Sequence, residues 1–511
     1  MENASSLKPA GLAAAALFAL CAGSTYMSYR PTKLRWDDSD YLYRSIEVSR
    51  GFWSGNLHRA GVAMVSWHPP AMTLLGLPWG PLPSWGAAGN CFITLASLTS
   101  LLAATSLYLL LRIGVRPVFL ALASLCVFAS LGPYPGGPLI HGRAVEFLAD
   151  SLVSWTALLA LLLIPFEART PCRSAGGAVA RGILCAAVLS FGAMTKVSFF
   201  YFIGLIVPAL FFIRLRRSGP RITLVSLASF VCCSAPAVFY WLRYGQPAFA
   251  FARSTSFGRV AEAYYNPFGR FLAGSIQEAP GLLLSFMLVV AGLLYAVSRK
   301  GKVLMRADLV PILIAAGYVF ISLSSPDREF RLSFPAVVAL PFLIAVLLSG
   351  EQRGASFRTS ALAAGVVLCG LLAAGVPTRH RADSQSLDRA NAVLAEAVRC
   401  HATHVLLATD SPFLNNPLMA LASEFSTAGV TASTLAYRAA ADAPIEEDFG
   451  EMRESGLVVL EDREALYPAF SNRRVPEYER YIRQTGVVPV RVADDVLVYP
   501  VNCRPGCVLR A

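Results

Sequence analysis

Charge is scarce in this chain. Only 15% of its 511 residues are Asp, Glu, Lys or Arg, against about 25% in soluble globular proteins. That shortage excludes a fully soluble multidomain enzyme. The sequence has no internal repeat and no low-complexity segment, which excludes fibrous arrays and disorder. It has no Cys-x-x-Cys pair and no histidine cluster, so a structural zinc site has no ligand set. What is abundant is apolar: 55% of residues are hydrophobic, and the mean hydropathy is +0.54. The apolar residues fall in blocks of about 17–25, the length that crosses a bilayer core as a helix. The chain reads as a polytopic α-helical membrane protein. Its net charge of +12 needs no nucleic acid as partner, because basic excess collects in the cytoplasmic loops of membrane proteins.

Eleven spans are expected, at 9–28, 86–111, 117–133, 146–166, 182–196, 198–213, 222–242, 280–298, 308–325, 332–349 and 359–376. The first is expected to stay as an uncleaved anchor, since its apolar block is long and lacks a small-x-small cleavage site. With the N-terminus inside, every inner loop is short and basic: Arg112 and Arg116; Arg169, Arg173 and Arg181; Arg214, Arg216, Arg217 and Arg221; Arg299 to Arg306; Arg353 and Arg358. The positive-inside rule requires that pattern. An odd number of spans puts the C-terminus outside. Three outer segments are long: 29–85, 243–279 and everything after 377.

After residue 377 the charges return. His404 to Asp410 and Gly456 to Asp462 read as buried strands, with a helix near 416–428 and a hairpin within Val487 to Val501. This predicts a small α/β domain. Most cysteines lie in spans and read as packing residues. Cys503 and Cys507, outside and four apart, are candidates for a disulfide in an oxidising compartment, with Cys400 left over.

The polar chemistry sits on the outer side. Asp37-Asp38-Ser39-Asp40-Tyr41 follows the first span. Acids at a helix start are one explanation. The stripe Leu42, Ile46 and Phe52 or Trp53 predicts a helix along the membrane surface, where a carboxylate suits a base for a hydroxyl or a ligand for a divalent cation. Next comes Ser66-Trp67-His68-Pro69-Pro70, in which His68 is either an aromatic-belt filler or part of a pocket. Glu146 and Asp150 share a helix face at the outer end of the fourth span. Pairing with Arg143 is the structural alternative. Lys196 ends the fifth span, as a snorkelling side chain or a functional cation. Arg328 and Arg331 precede the tenth span, and a guanidinium there suits bidentate phosphate binding. Loop 243–279 adds Arg243, Arg253, Arg259 and Arg270 with Tyr264 and Tyr265, which suit either a cleft or anionic headgroups.

In this order the motifs resemble the integral-membrane, polyprenyl-phosphate-sugar-dependent glycosyltransferases of the GT-C fold. The likeness is to the aminoarabinose lipid A transferase and protein O-mannosyltransferase branch. Those families carry Asp-Glu-x-x-Tyr in the first outer loop, matched by Asp37, Asp38 and Tyr41 with Asp38 in place of Glu. They carry His-Pro-Pro, matched by His68-Pro69-Pro70, and an acid at the start of the fourth span, matched by Asp150. They carry Thr-Lys after a Gly-containing span, matched by Thr195-Lys196. They carry Arg-Tyr-x-x-Pro before a late span, matched loosely by Arg328 to Pro335 with Phe330 for Tyr.

The resemblance covers residues 1–376. It implies a catalytic membrane domain there and leaves 377–511 as a soluble extracytoplasmic α/β domain. It implies inverting transfer of a sugar from a polyprenyl-phosphate donor to a hydroxyl acceptor (glycan, lipid or protein) at the outer face of the inner, or plasma, membrane. Asp37 becomes the candidate base. Asp38 and Asp150 orient groups or, for Asp37 and Asp150, bind a divalent cation, Mg or Mn. Lys196 and Arg331 are assigned to the phosphate, and His68, Tyr41, Arg143 and Arg328 to substrate. The rival classes are a transporter or flippase of lipid-linked sugars, which needs polar residues deep in several spans, and a diphosphate-donor polysaccharide ligase or polymerase. The Asp-Asp loop after the first span argues against the latter.

Overall fold

The computed structural model describes residues 36–66, 68–84, 87, 89–131, 149–257, 267–278, 287, 290, 294, 306–325, 333–349, 385–409, 411, 414–426, 428–436, 438, 443–461 and 474–503. The expected spans 9–28 and 359–376, and nearly all of 280–298, lie outside these residues.

The other eight spans are helices. Two short helices precede them, α1 (Trp36–Trp53) and α2 (Leu57–Met64). The bundle consists of α3 (Asn90–Arg112), α4 (Pro117–Leu131), α5 (Asp150–Arg169), α6 (Ala175–Thr195), α7 (Phe200–Ser218) and α8 (Pro220–Tyr244). After α9 (Gln246–Phe257) and α10 (Phe268–Glu278) come α11 (Arg306–Ser324) and α12 (Phe334–Ser349). Among the described residues, six helices are long and apolar enough to cross a membrane, and α4 and α12 contribute shorter apolar helices.

α5 is the axis of the bundle. It is buried nearly throughout and packs against α3, α6, α7, α11 and α12, as a helix hydrophobic on all sides must be. α8 sits at the margin, leaving Leu224, Val238, Phe239 and Leu242 exposed. In water that face would be a liability; against lipid tails it is the natural outer surface.

Charges pin one end of this bundle. Glu167 of α5 accepts both Nε and Nη2 of Arg214 at 2.9 Å and lies 3.0 Å from Arg181. Two residues on, Arg169 reaches the other side, donating to Asp308 at 2.7 Å and to the Ile113 carbonyl at 2.7 Å. Buried charges persist only when paired and hydrogen-bonded. Arg169, Arg181 and Arg214 of the expected inner loops therefore gather at one end of the described helices. Asp150 and Lys196 lie at the opposite end of α5 and α6, about 30 Å away for a 20-residue helix.

The C-terminal region is an α/β unit. Helix α13 (Gln385–Arg399) leads into β1 (His404–Leu407), α14 (Asn416–Ser426), β2 (Thr431–Thr434), α15 (Ile445–Glu454), β3 (Leu457–Glu461), α16 (Val475–Gln484), β4 (Val490–Ala493) and β5 (Val496–Tyr499). The strand order is β2-β1-β3-β5-β4. β1 runs parallel to β2 and β3, and β5 pairs antiparallel with β3 and β4. Side chains alternate across the sheet, as the strand period of two requires. Leu406, Val458 and Leu460 pack with Tyr478 and Ile482 on one face. Val405, Leu407, Leu457, Val459, Val496 and Val498 fill the other, together with Tyr41, Leu42 and Ile46 of α1. The C-terminal unit and the loop after the first expected span thus share one hydrophobic core.

The disulfide differs from the spacing-based expectation. Cys503 bonds to Cys400, 103 residues away, with Cα atoms 4.9 Å apart. Cys507 lies outside the described residues. Sequence proximity favoured the 503–507 pair, but β5 returns antiparallel along β3 and carries Cys503 back to the end of α13. Replacing Cys400 and Cys503 by Ser in the full-length protein is expected to lower the stability of this region by about 2–5 kcal/mol. A fall in its thermal unfolding midpoint measures this; an unchanged midpoint would show that the bond contributes nothing.

Candidate active site

The site begins where α6 stops. Phe199 folds back so tightly that a Cβ on Gly192 would lie 2.3 Å from its ring, so only glycine lets the chain turn here. Thr195 bonds back to the Phe191 carbonyl at 2.7 Å. Lys196 then takes extended angles (φ −154°, ψ 136°) between α6 and a 3₁₀ turn at Val197–Phe199. That break lifts Lys196 off the helix surface, and its Nζ donates to Oδ1 of Asp150. Asp150 is the first residue of α5 and only 3% exposed. A helix N-terminus favours an anion, and burial demands the partner that Lys196 supplies. The sequence placed these two residues in different spans and offered Arg143 as the partner of the acid. Arg143 and Glu146 lie outside the described residues.

The second wall is α1 with the His-Pro-Pro loop. Nδ1 of His68 lies 3.3 Å from the Tyr41 hydroxyl, with ring centroids 4.5 Å apart. Its Nε2 lies 3.6 Å from Asp40, whose Oδ2 accepts from Arg44 Nε at 2.8 Å. Pro69 and Pro70 are buried and start a short turn, and just beyond them the Ala71 amide donates to the Met194 carbonyl at 2.8 Å. This single backbone bond joins the His68 loop to the last turn of α6, two residues before Lys196. Helix α9 also arrives here: the Phe251 ring meets His68 edge-on at 5.5 Å. Arg259, Tyr264 and Tyr265, which follow α9 in sequence, lie outside the described residues.

Asp37 and Asp38 belong to α1, one turn or less before Tyr41; their side chains lie outside the described residues, as do Arg328 and Arg331. Of the residues expected at the site, Tyr41 and His68 form one group and Asp150 and Lys196 another, and the Ala71–Met194 bond ties the elements that carry them. Among the described residues no cluster of three His, Cys, Asp or Glu side chains is grouped to hold a metal ion.

One arrangement escaped the sequence reading. Glu424 of α14 accepts from Arg59 at 2.9 Å and from Arg50. Arg59 also grips Glu47 at 2.6 and 2.7 Å, and Arg50 donates to the Leu82 carbonyl at 3.1 Å. The Glu47 hydrogen bonds hold the Arg59 guanidinium above its already high ordinary pKa. This network locks the acidic helix α1 onto the C-terminal unit. No local pattern announces it, because Glu424 lies more than three hundred residues from its partners.

No family model matches the chain, and no curated protein matches it in sequence. Among solved structures, the crystal structure of ArnT from Cupriavidus metallidurans in the apo state matches with a TM-score of 0.53 at 12% identity, over 95% of this chain and 97% of that one. At that identity the likeness is one of fold. The chain therefore shares the fold of ArnT, with the Lys196–Asp150 pair and the His68–Tyr41 pair at one end of its described bundle.

Proposed function

We propose that this protein is an integral-membrane glycosyltransferase that moves a sugar from a polyprenyl-phosphate donor to a hydroxyl acceptor at the outer face of the membrane. The observation that carries this reading is the convergence at one end of the bundle, opposite the Arg-rich end, of a cation held at the break after α6 and an acidic helix with its histidine. The Arg-rich end is assigned to the cytoplasm. The Cys400–Cys503 bond suits an oxidising compartment for the C-terminal unit. Residues 1–376 and 377–511 are assigned as catalytic membrane domain and extracytoplasmic domain.

The acceptor oxygen attacks the anomeric carbon while the bond from that carbon to the phosphate oxygen breaks, inverting the sugar. Asp37 takes the acceptor proton. A singly charged phosphodiester becomes a doubly charged phosphate monoester, so one negative charge develops on the leaving group. Lys196 and Arg331 receive it, with Asp150 fixing the place of the Lys196 ammonium. Tyr41 and His68 shape the sugar pocket, with Arg143 and Arg328 at its rim. The prenyl chain stays in lipid throughout. A divalent cation wants about six to eight oxygen ligands, or several waters with carboxylates. Asp37 and Asp150 are the carboxylates that would hold such an ion, Mg or Mn, which would share the leaving charge with Lys196 and Arg331.

A transporter needs polar groups along a path through the membrane. The middle of α5, Ala157 to Ile164, is aliphatic and fully packed, and its hydroxyls at Ser154 and Thr156 bond to their own helix at 2.6 Å. In nanodiscs with donor labelled in the lipid, the purified protein is expected to release free polyprenyl phosphate when an acceptor is present. Passage of intact donor across a vesicle membrane without cleavage would overturn the transferase reading.

A further inference from the structure

Two residues that no motif marked sit directly behind Lys196. Ser198 belongs to the 3₁₀ turn that follows the lysine. Its Oγ accepts a hydrogen bond from the Tyr318 hydroxyl at 3.1 Å. Tyr318 comes from α11, more than a hundred residues later, and is 5% exposed. Its ring is clamped in place: it stacks on Phe202 with centroids 4.8 Å apart and lies 5.6 Å from the Tyr201 ring. Tyr201 in turn donates to the Ile314 carbonyl at 2.9 Å. Gly317 makes this approach feasible, since a Cβ there would fall 2.4 Å from the Tyr201 oxygen.

The turn is thus held from two sides. Phe199, fully buried against Gly192, anchors it by shape. The Tyr318–Ser198 bond anchors it by direction. A hydrogen bond fixes an angle where packing alone permits sliding, and it is strong where water is excluded. The side chain so directed is the cation assigned to the leaving phosphate.

We infer that Tyr318, acting through Ser198, is a positioning residue that aims Lys196 at the departing phosphate; this rests on the transferase reading above. The donor phosphodiester carries one negative charge and the leaving monoester two, so the aim of the ammonium matters most after charge has begun to build. Loss of the hydrogen bond should therefore weaken the transition state more than donor binding. A misplacement of about 1 Å can reduce a rate by about 10²-fold.

The experiment measures single-turnover release of polyprenyl phosphate and donor affinity in nanodiscs for wild type, Tyr318→Phe, Ser198→Ala, Lys196→Ala and Tyr318→Phe combined with Lys196→Ala. Tyr318→Phe is expected to lower the rate about 10- to 100-fold, with donor affinity changed less than about threefold. Ser198→Ala should reproduce this loss, which keeps the test valid if Tyr318→Phe folds poorly, and Ser198→Thr, which keeps the hydroxyl, should restore most of the rate. In the Lys196→Ala background Tyr318→Phe should add nothing, because the side chain it aims is gone. A wild-type rate in both single variants, or a loss that multiplies with that of Lys196→Ala, would overturn the positioning role while leaving the transferase reading intact. A wild-type protein that cleaves no polyprenyl-phosphate sugar would overturn both.

Discussion

Asp37→Asn is expected to lower the rate of transfer by about 10²–10⁴-fold, the usual contribution of a positioned general base. A sugar hydroxyl is a poor nucleophile until its proton is taken. The amide keeps the size of the carboxylate and most of its hydrogen bonding, but accepts no proton. The variant should still fold and still bind the lipid donor, because its helix is held elsewhere. Tyr41, Leu42 and Ile46 are buried in the core shared with the C-terminal unit, and Arg50 and Arg59 are locked to Glu424. Asp40→Asn is the internal comparison. Asp40 already accepts from Arg44 and faces His68, so its loss should loosen the pocket rather than remove the base, and the rate should fall less. A purely structural acid at a helix start predicts activity kept in Asp37→Asn, with a change in stability of about 0.3–1 kcal/mol. Turnover and donor binding measured on both variants separate the two roles, and a fully active Asp37→Asn enzyme removes Asp37 from the chemistry.

Features set by local pattern were legible in the sequence. The break at Lys196 could be read because apolar length ran out there twice, before and after one residue, and the structure puts a helix end, an extended residue and a 3₁₀ turn at that point. The strands His404–Leu407 and Leu457–Glu461 could be read because both faces of a central strand are covered, which leaves a continuous apolar run. Partnerships were not legible. Asp150 and Lys196 meet because α5 and α6 run antiparallel side by side, and nothing in either segment encodes the other's register. The same holds for Glu424 with Arg50 and Arg59, and for Tyr318 with Ser198. The disulfide shows the error that follows from reading a long-range pairing locally: the neighbouring cysteine looked like the partner, while the sheet had carried Cys503 back to Cys400. Fold class follows from periodicity within segments, whereas a site depends on crossings between them.

Lys196 offers the second large effect, and a way to divide stability from chemistry. Lys196→Ala should reduce transfer by about 10²–10³-fold, as removal of one donor to a developing anion does. It also strips the partner from Asp150, which is 3% exposed. Breaking a fully buried pair costs about 3–5 kcal/mol. The Lys196 side chain is 26% exposed, so solvent screening reduces the expected loss here to about 1–3 kcal/mol. A single variant therefore confounds an unstable bundle with a missing cation. Lys196→Ala combined with Asp150→Asn separates them, since the neutral amide no longer needs a counter-charge and thermal stability should return toward wild type. Activity should not return, because the ammonium assigned to the leaving phosphate is still absent. If the double variant regains both, Lys196 serves only to neutralise Asp150, and the leaving charge must be met by another group such as Arg331.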